Sequence, residues 1–444
     1  MSDREKNAHE LGVVELTTHL AQGSLGLRDY VDAMHGRYEV LEPEVKAFAH
    51  YRRDIVDMQV DSLDALKNAG LPLPRLFGVP IAVKDNIDTR DYPTEYGFAA
   101  SAGRTPSVDA LLVHKLREAG ALIWAKSRTT ELAYMHPTIT ENPRAPGHTP
   151  GGSSSGSAAA VASGMVAAAI GTQTNGSVIR PASFCGVYGF KPSRGLVFNG
   201  GVLPCAPSLD QVGVFARSVE DLAVVSEVMI GGHHLASGQP VFPMDLRRVC
   251  EQQPPMPPTL MFARTPMWER LDPRSREAFL ALVEELKDCM SEVVLPPSVA
   301  NAVPLHKTVM EAEMHAHLKQ LVAAGGDSAS APTRDLMARG GAILAADYLE
   351  ALGRMNTAAG AFDEYFDRFD AIVTPATLGP APHGLDSTGD PVMSTVWTYA
   401  GLPCISIPLL QTEDGLPIGV QLVGALRGDA RLLRTARWLA QRLG

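Results

Sequence analysis

The chain has 444 residues, 45% hydrophobic and 20% charged, which excludes a disordered polymer, since such chains lack the apolar content to offset their ordering entropy. Its 39 basic and 49 acidic residues leave a net charge of −10, so nucleic acid is a poor partner, because phosphate neutralisation needs clustered Lys and Arg. Five scattered cysteines (Cys185, Cys205, Cys250, Cys289, Cys404), an odd number with no Cys-x-x-Cys, read as reduced thiols of a cytoplasmic protein, not as a disulfide or zinc framework.

The charged start, Met1 to Lys6, leads into no apolar signal region. The segment 11–67 reads as helical: Leu11, Val14, Leu16 and Leu20, then Leu27, Tyr30, Val31 and Met34, recur at spacings of three and four, with Gly23 as a break. A strand is predicted over 77–83, followed by a turn through Lys84-Asp85-Asn86. A helix over 109–118 and a short strand over 121–125 follow. Strands alternating with helices of this length indicate an α/β layered fold. From 142 to 201 the sequence is crowded with Gly, Ser and Pro interleaved with apolar runs, the texture of a packed, loop-rich core. The run 157–170 is Ala-rich and too short for the roughly 20 residues of a membrane span. Residues 245–360 are helical and more polar. Strands return over 371–375, 404–410 and 418–423, and an amphipathic helix over 430–443 ends the chain. The expected organisation is an N-terminal helical segment (1–70), a core (71–240), a helical, variable insertion (241–365) and the C-terminal part of the same α/β core (366–444).

The stretch Gly151-Gly152-Ser153-Ser154-Ser155-Gly156-Ser157 admits three explanations. Gly152-x-Ser154-x-Gly156 satisfies the nucleophile-elbow pattern, which requires a strand leading into it. Pro146 and Pro150 sit where that strand would run, and Pro is excluded from central strands. A flexible linker is the second explanation, and the apolar run directly after it argues against that. The third joins Gly78-Val79-Pro80-Ile81-Ala82-Val83-Lys84-Asp85, Pro150 through Ser157, and Gly171-Thr172-Gln173-Thr174-Asn175-Gly176-Ser177. With Arg180-Pro181-Ala182-Ser183-Phe184-Cys185-Gly186, Gly189-Phe190-Lys191-Pro192-Ser193, Ser208-Leu209-Asp210-Gln211-Val212-Gly213, Gly401-Leu402-Pro403 and Gly415-Leu416-Pro417, this ordered set closely resembles the amidase signature family of serine hydrolases. The likeness covers roughly 75–230 and 370–442.

The resemblance implies a large mixed β-sheet flanked by helices and a catalytic set of Lys84, Ser153 and Ser177, with Ser153 entered through a cis peptide and Ser177 as nucleophile. It further implies an oxyanion hole from the backbone N–H groups of Thr174, Asn175, Gly176 and Ser177, with Ser154 in a supporting hydrogen bond. The chemistry follows from first principles. A neutral hydroxyl needs an adjacent base to become a good nucleophile. Lysine serves only when neutral, so its reference pKa of about 10.4 must be lowered, which burial does. Ser153 would relay the proton between the two. The chain departs from most members in carrying Gln173 for Asp, Asn175 for Gly, and Ile179 where Arg is usual, with Arg180 one place later. That variant resembles malonamidase- and biuret-type members, in which the shifted Arg is implied to hold a substrate carboxylate. The alternative use of Arg180 is to brace nearby backbone carbonyls.

Tyr134, Met135 and Trp397 stand where the family lines its substrate pocket, although each could equally be core. Met310, Met314 and Leu318 repeat at helical spacing in the insertion, the region that often forms the mouth of the substrate funnel. His306, His315 and His317 have no metal-binding pattern, and neither metal nor cofactor is expected. The resulting expectation is a cytoplasmic amidase cleaving amides, aryl amides and carbamates (urethanes) or esters through an acyl-enzyme. The alternatives are a malonamate- or biuret-type specificity through Arg180, and an amidotransferase subunit. The expected partners are a small-molecule amide or carbamate and a second copy in a homodimer, with neither nucleic acid nor membrane.

Overall fold

The computed structural model describes residues 7–235, 238–295, 299 and 301–444. The reading of Met1 to Lys6 lies outside the described residues. In chain order the strands are β1 (Phe48–Tyr51), β2 (Pro80–Lys84), β3 (Leu122–Ser127), β4 (Ala168–Gln173), β5 (Tyr188–Lys191), β6 (Gln211–Ala216), β7 (His233–His234), β8 (Pro240–Val241), β9 (Leu260–Phe262), β10 (Met290–Glu292), β11 (Ala371–Pro375), β12 (Cys404–Gln411) and β13 (Pro417–Val423). Among the described residues eleven of them form one mixed sheet in the order β1-β3-β2-β4-β6-β5-β12-β13-β11-β9-β10, while β7 and β8 form a separate ribbon. This is the helix-flanked mixed sheet expected from the sequence.

Every residue of β2, β3, β4 and β6 is buried. Their continuous apolar runs, without alternation, are what a strand covered on both faces requires. β2 runs parallel to β3 and to β4, whereas β4 and β6 are antiparallel. The carboxyl ends of β2 and β4 therefore reach the same edge of the sheet. Val83 is opposite Ile170, so Lys84 arrives beside Gly171 and Thr172. The crevice beyond the carboxyl ends of parallel strands is where open α/β sheets place their ligands.

Two expectations change. The segment 11–67 contains the helices Val13–Gln22, Leu27–Val45 and Arg53–Asn68 but also β1, which pairs antiparallel with β3. Four residues are too few to show a period of two. The stretch 241–365 is not wholly helical either, because β9 and β10 extend the main sheet beside β11. At three residues each, their apolar positions cannot be told from a helix stripe. The helices Ala302–Gly325, Ala331–Gly341 and Ala345–Ala358 follow, and their buried residues share one apolar cluster with Val396, Trp397 and Tyr399. No described helix is long and apolar enough to cross a membrane.

Candidate active site

Lys84 ends β2 with no solvent exposure. Its Nζ lies 2.7 Å from Ser153 Oγ and 2.8 Å from Thr172 Oγ1, and Asn86 Nδ2 donates to the same threonine hydroxyl at 3.0 Å. Among the described residues no carboxylate forms an ion pair with it. Burial pushes the ammonium down to about 7, against weaker opposing effects from Cys205 and Asp210. An amine so placed is substantially neutral near neutral pH and able to take a proton.

The Gly/Ser segment is fixed onto β4 by its own hydroxyls. Ser154 Oγ donates to the Thr172 carbonyl at 3.2 Å and accepts from the Thr172 N–H at 3.3 Å. Gly171 leaves room for this approach, since a Cβ there would lie 2.6 Å from Ser154 Oγ. Ser155 Oγ donates to the Gly151 carbonyl at 2.7 Å and Ser157 Oγ to the Ile170 carbonyl at 3.0 Å. The Gly152–Ser153 peptide is cis, as the resemblance implied. With both bonds of Ser154 turned toward β4, the elbow reading loses its nucleophile.

Beyond β4 the chain turns sharply through Thr174 to Val178 before the helix Ile179–Cys185. Gln173 Oε1 accepts from the N–H groups of Val178 and Ile179 at 2.8 and 3.0 Å, while its Nε2 donates to Thr398 Oγ1 at 2.9 Å. A neutral amide thus holds the helix start from the position where most of the family carries an acid. Thr174 Oγ1 donates to Asp210 at 2.5 Å, and the other Asp210 oxygen accepts from the N–H groups of Cys205 and Ala206, both at 2.9 Å. Burial raises the Asp210 carboxyl to about 6. Thr395 Oγ1 donates to Asn175 Oδ1 at 2.8 Å. Among the described residues, none of the backbone N–H groups of Thr174, Asn175, Gly176 and Ser177 donates to a protein oxygen. Four donors are therefore free at the turn that carries Ser177.

Ser177 lines a cavity of about 390 Å³ together with Ala133, Tyr134, Met135, Thr174, Asn175, Arg180 and, from the facing helix, Val303, His306, Met310 and Met314. No hydrogen bond joins Ser177 to Ser153 here. Such catalytic links often tighten only around substrate. Arg180 is 2% exposed and partly engaged: Nη2 donates to the Gly152 carbonyl at 2.6 Å and to Thr388 Oγ1 at 3.3 Å, and Nη1 to the Gly389 carbonyl at 3.1 Å, while its buried Nε has no partner among the described residues. Burial without a directly bonded carboxylate pulls its guanidinium down to about 10.

Tyr134 and Met135 reach the cavity; Trp397 does not. Its indole is fully buried, with its ring centre 5.5 Å from that of Phe362. On the helix Val392–Ala400 it is Val392 and Thr395, three apart, that face the cavity. Trp397 lies two residues further, which turns it to roughly the opposite side. Thr172, Asp210, Thr395 and His306 hold parts of the site that the sequence did not signal. The first two sit inside recognised motifs, whereas nothing local marks Thr395 or His306.

The family model described as Amidase matches residues 29–433, and the chain belongs to that family. It is accordingly an enzyme acting on carbon–nitrogen bonds of amides. A glutamyl-tRNA(Gln) amidotransferase subunit from Synechococcus sp. (strain WH7803) is 32% identical, with 97% of each chain covered. The subunit of the same name from Oleidesulfovibrio alaskensis is 33% identical, again over 97% of each. Among solved structures, peptide amidase from Stenotrophomonas maltophilia superposes with a TM-score of 0.85 at 26% identity, covering 98% of this chain and 97% of that one. A member of a vestigial complex tied to the origins of an s-triazine catabolic enzyme gives 0.89 at 26% identity, covering 97% and 98%.

Proposed function

We propose that the chain is a stand-alone amidase in which Ser177 attacks the carbonyl carbon, Ser153 relays the serine proton and Lys84 receives it. The observation that carries this reading is a fully buried lysine, without an ion-pair partner among the described residues, 2.7 Å from the Ser153 hydroxyl, at the edge of the sheet where the Ser177 turn begins. In the first half-reaction the carbon–oxygen bond to Ser177 forms, the carbon–nitrogen bond breaks, and the proton passes through Ser153 to the leaving amine. Water then attacks the acyl carbon, its proton passes through Ser153 to Lys84 and back to Ser177 Oγ as the carbon–oxygen bond to Ser177 breaks, and the acid leaves. The free N–H groups of the 174–177 turn supply the oxyanion hole, where each such donor is typically worth about 3–4 kcal/mol in the transition state.

The favoured substrates are neutral amides with an apolar acyl or aryl part, with carbamates and esters accepted at the same carbonyl. Tyr134, Met135, Met310 and Met314 give the cavity an apolar stretch beside the charged Lys307, Glu311, Arg339 and Asp390, and both Nη atoms of Arg180 are engaged with carbonyls. A malonamate-type specificity through Arg180 is correspondingly disfavoured. The test is a panel of primary amides, anilides, carbamates and malonamate with the purified chain, without ATP or tRNA. Turnover of anilides or carbamates supports the reading; turnover confined to malonamate defeats it.

The amidotransferase reading is favoured by the names of the curated relatives at 32% and 33% identity. It requires a partner that consumes the ammonia. Glutamine hydrolysis that appears only with such a partner, and no turnover of the panel, would select it.

A further inference from the structure

Three successive peptide planes make up the turn that carries Ser177, and each is held by its carbonyl. The Thr174 carbonyl accepts from His306 Nε2 at 2.9 Å. The Asn175 carbonyl accepts from Thr398 Oγ1 at 2.6 Å, and the Gly176 carbonyl from the Arg180 N–H at 2.9 Å. In a trans peptide the C=O and the following N–H point in opposite directions. Pinning the carbonyls at 174, 175 and 176 therefore aims the N–H groups of Asn175, Gly176 and Ser177 the other way. Two of these anchors belong to the site's own framework: the helix that follows the turn and the helix Val392–Ala400 that walls the cavity. The third comes from the variable helix Ala302–Gly325, more than a hundred residues away in sequence.

Resting on the reading of this turn as the oxyanion hole, we infer that His306 is a positioning residue, which sets the direction of the Asn175 N–H by holding the Thr174 carbonyl. A carbonyl oxygen only accepts, so Nε2 must carry the hydrogen. His306 is 1% exposed, and burial pulls its imidazole down to about 4, which keeps it neutral at working pH. The same helix presents Val303, Lys307, Met310 and Met314 to the cavity, so one element both shapes the pocket and aligns a donor for the transition state. Without this anchor the Thr174–Asn175 plane keeps only the indirect restraint of its neighbours, Thr174 Oγ1 on Asp210 and Asn175 on Thr395 and Thr398. The cost falls on the developing oxyanion more than on the ground-state carbonyl, since only the former needs the donor in full alignment.

The discriminating pair is His306→Met and His306→Gln in the full chain. The two replacements have similar length and flexibility, but only glutamine can donate to the Thr174 carbonyl. With p-nitrophenyl butyrate and butyryl-p-nitroanilide as probes, His306→Met should lower kcat about 10- to 100-fold while KM changes less than about twofold. Its affinity for phenylboronic acid, which forms a tetrahedral adduct, should fall in parallel, and His306→Gln should recover most of both. His306→Leu, equally unable to donate, should show the same kcat signature and keeps the test decidable if His306→Met does not fold. Wild-type kcat in His306→Met, a loss confined to KM, or a folded His306→Gln as impaired as His306→Met would each overturn the inference. Failure of the underlying reading shows separately, as a wild-type chain that a fluorophosphonate does not label at Ser177.

Discussion

The site has two sides built on different principles, a buried relay behind the Ser177 turn and the cavity in front of it. On one side the Gly/Ser segment, β2 and β4 pack hydroxyls and one amine against backbone so tightly that Lys84, Ser153, Ser154 and Thr172 are at most 5% exposed. On the other, the helix Ala302–Gly325 offers a looser face of Val303, Met310 and Met314, where unbranched methionine adapts to different shapes. The first side holds its hydroxyls and amine within hydrogen-bond reach of one another, whereas the second, His306 apart, excludes water and matches the substrate's shape. Chemistry and selectivity should therefore respond differently to mutation.

The largest effect is expected at Ser177. Ser177→Ala should lower kcat at least about a thousandfold and abolish fluorophosphonate labelling while the thermal melt stays put, because the loss of a nucleophile removes the covalent route. Labelling that persists and moves to Ser154 would break the division between the two sides at its centre.

Lys84 comes next and adds a pH signature. With its ammonium near 7, kcat/KM should climb up to tenfold per pH unit below that value and level off above it. Lys84→Met should lose most activity near neutral pH. Stability changes with pH in the same direction as activity. The unfolded lysine titrates near 10.5 and the folded one near 7, so between them the unfolded chain binds more protons and stability rises with pH. Urea midpoints should favour Lys84→Met over wild type at pH 6.5, with a smaller gap at pH 9.5. A gap independent of pH would show that burial does not perturb Lys84.

Arg180→Ala sharpens the comparison from within the buried side. It leaves the Gly152 and Gly389 carbonyls without their donors, a loss of about 1–3 kcal/mol in stability, and should reduce turnover of malonamate and of a neutral aryl amide alike. A rise in KM for malonamate alone would return Arg180 to substrate recognition. The smallest effect belongs to the adaptable side: Met310→Ala should raise KM for aryl amides a few-fold, with kcat within about twofold, as measured by steady-state kinetics.

The ordered motifs from Gly78 to Ser193 were enough to identify the sheet core, the Lys84–Ser153–Ser177 set and the four-donor turn as candidates, because each depends on residues close in sequence. Apolar runs on strands and stripes on helices also report locally which way a residue faces, which is why β11 and the long helix after residue 301 were legible. Partners of buried polar groups are not local. Lys84 and Lys126 lie on adjacent, fully buried strands, yet Lys126 Nζ meets the Ile87 carbonyl, Thr94 Oγ1 at 2.7 Å and Asp85 at 3.9 Å, where Lys84 meets hydroxyls and, among the described residues, no acid. Composition alone treats the two as equals. The partly engaged guanidinium of Arg180, the inward turn of Trp397 and the anchor from His306 were likewise decided by tertiary structure. Gln173 and Thr398, bonded across 225 residues, show the physical reason: the energy of a buried polar group depends on which distant segment arrives beside it, and only the folded sheet brings those segments together.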